Sequence, residues 1–474
     1  METDNSAILR PFPKGFIITQ AEAFNAPDWF ETHSMGGSWY LQHDPALEFC
    51  VVKNAHFSVT VIGTCFSKVR CLDDERQVAE FIEKSLSIEF SQDAFTRIVH
   101  DMAGRFTLVV SSSDQIMVAG DPLGSIATWW GCVHDFAVSN FSKLLADHFD
   151  DHSCIQKKAF FGHPAYKSGQ PWLSNIVPEY DVSLPILPNH CLRFDHGEIS
   201  HERFYPRSPL QQISVDDAAE IVSGELRFAV ENICKRGRPV LFSITAGDDA
   251  FAFVDIAADV LRASKSVGIT YAFLNGDPNP THDDLVGANR RMLSAGIPHQ
   301  IAPMKFEWGS EFAKVYSETH PTMAIFPTLA KTMYDTGGGE VYFLTGHGGE
   351  IGNVFYKERV NGFPSPEDLA EKNGTRSFAE SDLGRSSIEE FIEYAQFDRE
   401  RFYNYDPYDL LYWENRLGRW GARMMGEWDF GARPVSPFSS RRLIDAMMSV
   451  PFDDRVGRSI YRRMHDLFGQ IEVN

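Results

Sequence analysis

The chain has 474 residues, 43% of them hydrophobic and 37 of them Phe, enough for two or three domains with real cores. No run of 18 apolar residues occurs, so a soluble globular protein without a membrane span is expected. Asp and Glu number 65 against 44 Lys and Arg, a net charge of -21, and phosphate backbones or anionic membranes need basic counter-charges, so neither nucleic acid nor membrane is expected as a partner.

In chain order, the opening METDNSAILRPFPKGF has no basic flank before an apolar core, and is not expected to act as a secretory signal. FCVVKNAHFSVTVIGTCF and RFTLVVSSSDQIMVAG are dense in β-branched and aromatic residues and predict strands. DDERQVAEFIEKSLSIEF and SQDAFTRIVHDMAG predict helices, the second with a Gly stop. HCLRFDHGEISHERFYP predicts two short strands with DHGE as the turn, so residues 1–205 read as an antiparallel layered α+β domain. Pro206 to Pro209 make a linker, and residues 210–474 form the second domain. After a first helix, apolar strands alternate there with helices: RPVLFSIT, VGITYAFLN, HQIAP and EVYFLTG. That pattern predicts an α/β parallel sheet covered on both faces. From about residue 385 the chain reads as mainly helical and aromatic.

Seven cysteines stand at 50, 65, 71, 132, 154, 191 and 234, an odd number without C-x-x-C. Neither a disulfide framework nor a zinc cluster is expected, and a reduced cytoplasmic protein with small buried thiols is the simplest reading.

Ligands bind open parallel sheets outside the carboxyl ends of the strands. Two loops fall there. The first, SITAGDDA, runs Ser243-Ile244-Thr245-Ala246-Gly247-Asp248-Asp249-Ala250 from a strand into a helix. Small residues at a helix N-terminus expose backbone N–H groups suited to phosphate. An acid there repels phosphate unless a cation intervenes, so Asp249 suggests Mg2+; equally, Asp248 and Asp249 would serve as plain helix caps. The second loop, LTGHGGEIGN, carries Gly346, His347, Gly348, Gly349 and Glu350. It matches neither G-x-G-x-x-G nor G-x-x-x-x-G-K-[ST]. Two such loops on one sheet suit a shared metal, or are a pair of ordinary tight turns.

At these residues the chain resembles the asparagine synthetase family. SITAGDDA is similar to its S-G-G-x-D-S pyrophosphate loop, and TGHGGE to its S-G-x-G-x-D-E loop. MAGRFTLVV, AGDPLGSIATWWG and FAVSNFSKLLAD resemble the D-G-x-F-A, R-D-P-L-G-x-x-P-L-Y-Y and S-E-x-K-A-L segments of its glutaminase half. LPNHCLRFDHGEISHERFYP resembles L-P-P-G-H, and PVSPFSSRRLIDAMMSVP resembles V-P-F-L-D-x-x-L-x-x-x-A-x-x-L-P. The matches keep the family's order and span nearly the whole chain.

The resemblance implies an N-terminal domain of N-terminal-nucleophile hydrolase type, followed by an ATP-pyrophosphatase domain with a helical C-terminal part. It implies that ATP and Mg2+ are used to adenylate a carboxylate, release pyrophosphate and let an amine attack. The residues it assigns to ATP and pyrophosphate are Ser243, Thr245, Ala246, Gly247, Asp248, Asp249, Ala250, Gly346 and Gly348, with Leu274 near the adenine; Asp249 and Glu350 would hold the metal. The expected partners are a small-molecule or peptide carboxylate, an amine, and a second copy of the chain as a homodimer.

Four departures accompany the resemblance. Residue 2 is Glu2 where the family's glutaminases need Cys, and the first Cys is Cys50, so glutamine hydrolysis is not expected. Ala250 replaces a Ser, and Glu350 stands where Asp is usual. The family's catalytic Glu falls at about Arg433, and Glu414, Glu427 and Asp429 are near it in sequence without a clear assignment as base. Arg458 and Arg462 are the nearest cations to replace a late Lys, and read more simply as helix-surface charges. His347 touches phosphate or fills a variable loop position; His282 reads as an N-terminal helix residue. YDLLYWENRLGRWGARMM reads as a core helix with Arg on its rim. Two functions stay open: an amide-forming ligase of a specialised biosynthetic pathway, or a catalytically degenerate binding or scaffold subunit.

Overall fold

The computed structural model describes residues 9–21, 26–167, 172–272, 281–320 and 327–471. Its first part holds β1 (Phe16–Thr19), β2 (Glu31–Gly36), β3 (Trp39–His43), β4 (Phe49–Lys53), β5 (Ser58–Phe66), β6 (Ala103–Ser111), β7 (Gln115–Gly120), β8 (Trp129–Cys132), β9 (Phe136–Ser139), β10 (Leu184–Pro185), β11 (His190–Asp195) and β12 (Glu198–Arg203). They form two antiparallel sheets, ordered β10-β8-β9-β1-β3-β2 and β12-β11-β7-β6-β5-β4.

The strand side chains dictate the layers. Phe16, Ile18, Trp39 and Leu41 of one sheet meet Ile62, Val109, Val118 and Phe194 of the other in one buried cluster, so the sheets stack face to face. On the outside, Val61, Phe106, Leu108 and Met117 bury the apolar stripes of helices Glu75–Leu86 and Gln92–His100. Ile17, Trp129 and Ala137 bury Leu145 and Phe149 of helix Ser142–Phe149. The result is helix, sheet, sheet, helix. The expected DHGE turn is present, with His196 and Gly197 both at positive φ, as a two-residue hairpin requires. The expected Gly stop is absent. Helix Gln92–His100 ends on Asp101, and Gly104 lies inside β6, where an added Cβ would stand 2.4 Å from the Thr64 carbonyl oxygen.

The second part holds β13 (Val240–Ser243), β14 (Val267–Ala272), β15 (His299–Pro303), β16 (Val341–Leu344) and β17 (Ala432–Val435). All are parallel, in the order β15-β14-β13-β16-β17. Both faces are covered. Phe242, Ile244 and Leu344 join a cluster with helices Val215–Cys234, Asp248–Ile256 and Arg441–Met448. Leu241, Ile269 and Phe343 pack on Met333, Met424 and Trp428. A fully buried Phe343 contributes about 1.5–3 kcal/mol by leaving water. The region from about residue 385 is mainly helical, with one strand that the sequence does not announce: β17, ARPV, pairs with β16 and completes the sheet. The chain winds one way from β13 to β15 and then returns beside β13 as β16, so the sheet reverses direction between β13 and β16. That is where a parallel sheet opens a crevice at its carboxyl edge.

The two parts are joined through buried charge. Arg105 of β6 binds both carboxylate oxygens of Asp429 at 2.8 and 2.7 Å. Arg203 of β12 grips Glu414 through both guanidinium nitrogens. Lys14 donates to the carbonyls of Asp429 and Ala432, and burial lowers its amine to about 8. No helix of the described residues is long and apolar enough to cross a membrane.

Candidate functional site

Both glycine loops emerge at the reversal point, one from β13 and one from β16, which are adjacent and parallel. Glycine is required because the loops touch. A Cβ on Gly346 would lie 3.1 Å from Ala250 Cα, and one on Gly349 would lie 2.7 Å from Asp249 Cβ. Gly348 does something else: it turns the chain at φ +89°, and its open side faces Leu123 and Phe438 rather than the first loop. Leu123 comes from the DPLG segment of the first part, whose Pro122 carbonyl accepts from Trp413 Nε1. The second loop is therefore clamped by both parts of the molecule.

The approach brings Asp249 and Glu350 together. Burial pushes Asp249 up to about 6, and the charge of Glu350 adds to the rise. Glu350 is raised as well, again first by burial. Its stabilising partners are the Gly348 amide at 3.2 Å and the Tyr412 hydroxyl, with Arg416 close enough to favour its charge. Two buried carboxylates, both raised by burial and one of them further by the charge of the other, are a site whose charge a divalent cation would neutralise. The donor set is oxygen and suits Mg2+ by its chemistry.

The phosphate side is more occupied than its sequence suggests. Asp248–Ile256 is a helix with Gly247 at its N-cap, so its first amides point outward. The Ala246 amide donates to Asp284 Oδ1 at 3.1 Å, the Gly247 amide to Thr245 Oγ1 at 3.2 Å, and the Ala250 amide to Asp249 Oδ1 at 2.9 Å. Asp284, from helix Thr281–Ala295, thus stands where an anion would stand. Arg291 of the same helix lies over the Phe251 ring at 4.1 Å and reaches the carbonyls of Thr245 and Gly247 at 3.5 and 3.4 Å. Ser243 ends β13, buried. Leu274 and the side chain of His282 lie outside the described residues.

Several expectations change. Arg458 is not a plain surface charge: it pairs with Asp248 at 2.8 Å, so a cation does reach the first loop. Arg462 lines a recess beside the loop helix with Asp248, Asp255 and Arg291. Arg433 sits early in β17, turned to Glu48 at 3.5 Å and Glu340 at 3.8 Å and away from the loops. No base stands there. Glu414 and Asp429 are spent on Arg203 and Arg105, and Glu427 is buried 3.6 Å from Arg423. His347 turns from the phosphate side onto Trp420 and Trp428, and burial lowers it to about 4, so it is neutral at physiological pH.

The aromatic segment is helical, but its arginines are not on a rim. Residues Tyr412–Gly421 wind as a π-helix between two α-helical turns. Residues four apart then share a stripe: Tyr412 meets Glu350, Arg416 lies over the Trp420 ring at 4.9 Å, and Trp420 stacks on His347. Arg419 is buried, bonded to the carbonyls of Asn175 and Val177. All seven cysteines are free, and Cys50, the first, sits half-buried in β4 with its thiol raised by burial, which disfavours a thiolate.

No family model matches the chain, and no curated protein sequence does. Among solved structures, the chain is similar to the allosteric regulatory enzyme of purine biosynthesis, at 10% identity and a TM-score of 0.27, over 72% of this chain and 70% of that one. It is similar also to glutamine phosphoribosylpyrophosphate amidotransferase from B. subtilis complexed with ADP and GMP, at 10% identity and a TM-score of 0.25, over 70% and 69%. At such scores neither likeness carries weight for fold or function.

Proposed function

We propose that the protein is an ATP-dependent amide-forming ligase built on an N-terminal-nucleophile-hydrolase-type domain without glutaminase activity and an ATP-pyrophosphatase domain. The observation that carries this reading is the meeting of Asp249 and Glu350 at the point where the parallel sheet reverses, beside a helix N-terminus. The ordered motif resemblance across the chain supports it. In this reading a carboxylate oxygen attacks the α-phosphorus of ATP and pyrophosphate leaves. An amine nitrogen then attacks the acyl carbon, loses a proton, and AMP leaves. Mg2+, held by Asp249 and Glu350, would neutralise charge on the departing pyrophosphate. The amides at the start of helix Asp248–Ile256 orient the phosphates, and Arg458 offers a cation once Asp248 releases it.

The test supplies the chain with ATP, Mg2+ and pools of carboxylates and amines, and follows AMP and pyrophosphate. AMP and pyrophosphate in equal amounts support the reading; ADP as the only nucleotide product overturns it.

A second reading, a catalytically degenerate binding or scaffold subunit, is favoured by one observation: Asp284 fills the first loop from within. Asp284→Ala separates the two. If the carboxylate only competes with phosphate, its removal tightens ATP binding at least threefold; if it is an integral part of a relic loop, ATP binding stays absent in both chains.

A further inference from the structure

Away from the glycine loops, the first part of the molecule gathers two imidazoles and a carboxylate. Cys132 of β8 pairs with Phe136 of β9, so Val133, His134 and Asp135 form the three-residue connection between these strands. Helix Ser142–Phe149 packs beside it and presents His148. His148 Nε2 lies 3.0 and 3.1 Å from the two oxygens of Asp135, and His134 Nε2 lies 3.6 Å from Asp135 Oδ1. One ligand atom from each of the three side chains falls within 4.8 Å of the others.

These separations have a chemical meaning. Bonds of about 2.05 Å in a tetrahedral zinc site set neighbouring ligand atoms about 3.3 Å apart. The two carboxylate–imidazole edges of 3.0 and 3.6 Å bracket that value, and the imidazoles, within 4.8 Å of each other, need only close on one another to receive an ion. Two imidazole nitrogens and one carboxylate oxygen are a borderline donor set, which selects zinc-class ions over Mg2+ or Ca2+. Each side chain is placed differently: His148 is buried, Asp135 half-buried and His134 exposed, which gives the ion an inner wall and an open side for water.

From this geometry we infer that His134, Asp135 and His148 bind one divalent zinc-class ion, which pins the β8–β9 connection to helix Ser142–Phe149. The other nitrogen of His148, Nδ1, is buried without a hydrogen-bond partner. Ligating imidazoles are normally braced at that atom, and losing the brace weakens binding about 10- to 100-fold, so a site weaker than a braced one is expected.

The test is a Co2+ titration of the chelator-stripped full chain, read by visible absorption, with Zn2+ then displacing the Co2+. With excess Mg2+ present to occupy the Asp249 and Glu350 carboxylates, one equivalent of Co2+ should bind. His134→Ala, a change at an exposed side chain that leaves the core intact, and Asp135→Asn should each weaken it at least tenfold with an unchanged far-ultraviolet dichroism spectrum. No saturable binding by the natural chain, or binding by His134→Ala and Asp135→Asn equal to that of the natural chain, overturns the inference; in the first case Asp135 and His148 are an ordinary hydrogen-bonded pair.

Discussion

Buried acids occur in two regions of this molecule, and they are treated in opposite ways. At the junction of the two parts, Glu414 and Asp429 each receive a two-pronged arginine from the other part, so their charge is matched by a planar guanidinium. At the reversal of the parallel sheet, Asp249 and Glu350 face each other, and each is pushed toward its neutral form. The first arrangement holds the two parts of the molecule in register. The second is costly while nothing sits between the carboxylates, and such a cost persists where a ligand cancels it. The difference separates acids whose charge the fold itself matches from acids that the proposed function assigns to a cation.

The largest effect should come from the junction. Arg203→Ala leaves Glu414 fully buried without its guanidinium, and denaturant unfolding should lose about 3–5 kcal/mol. A loss below 1 kcal/mol would mean that water reaches Glu414 and that the contrast between the regions is false.

The carboxylate pair should respond with the opposite sign. Asp249 keeps its proton to about 6 in the folded chain, while the unfolded chain releases it near 3.8. Between those values the folded state binds more protons, so stability falls as pH rises from 4 to 6. Asp445 is also raised to about 6, so the natural chain is compared with Asp249→Asn rather than read alone. The variant should be as stable as the natural chain near pH 4 and more stable by roughly 1–2 kcal/mol at pH 7. Mg2+ should remove that difference by stabilising only the natural chain. Thermal unfolding across the pH range reads both effects, and a destabilised Asp249→Asn at pH 7 would break the comparison.

The smallest effect concerns Arg458. Its pair with Asp248 is half-exposed, so Arg458→Ala should cost less than about 1 kcal/mol in stability. If the guanidinium turns to phosphate, nucleotide binding should weaken several-fold in the same variant.

Much of this contrast was legible in the sequence, and the illegible part has a common cause. Apolar runs such as VLFS and VYFL announced the central strands, and glycines beside acids announced the loops at their ends. The β17 segment, with Arg433 and Pro434, lies in a stretch that reads as helical, and only its pairing with β16 makes it a strand. Asp284 lies 38 residues from the amide that it caps, Arg458 lies 210 from Asp248, and Arg203 lies 211 from Glu414. Local pattern carries no information about such partners. The same holds for Glu414 and Asp429, which the sequence leaves without an assignment as base and which the arginines opposite them hold in place.

The central claim is tested most directly by calorimetric titration of ATP into the natural chain, with and without Mg2+, and into Asp249→Ala. The account predicts binding that requires Mg2+ and weakens at least tenfold in the variant. Equal binding by both chains, or no nucleotide binding by the natural chain, would contradict it and leave the meeting of Asp249 and Glu350 without a role in phosphate chemistry.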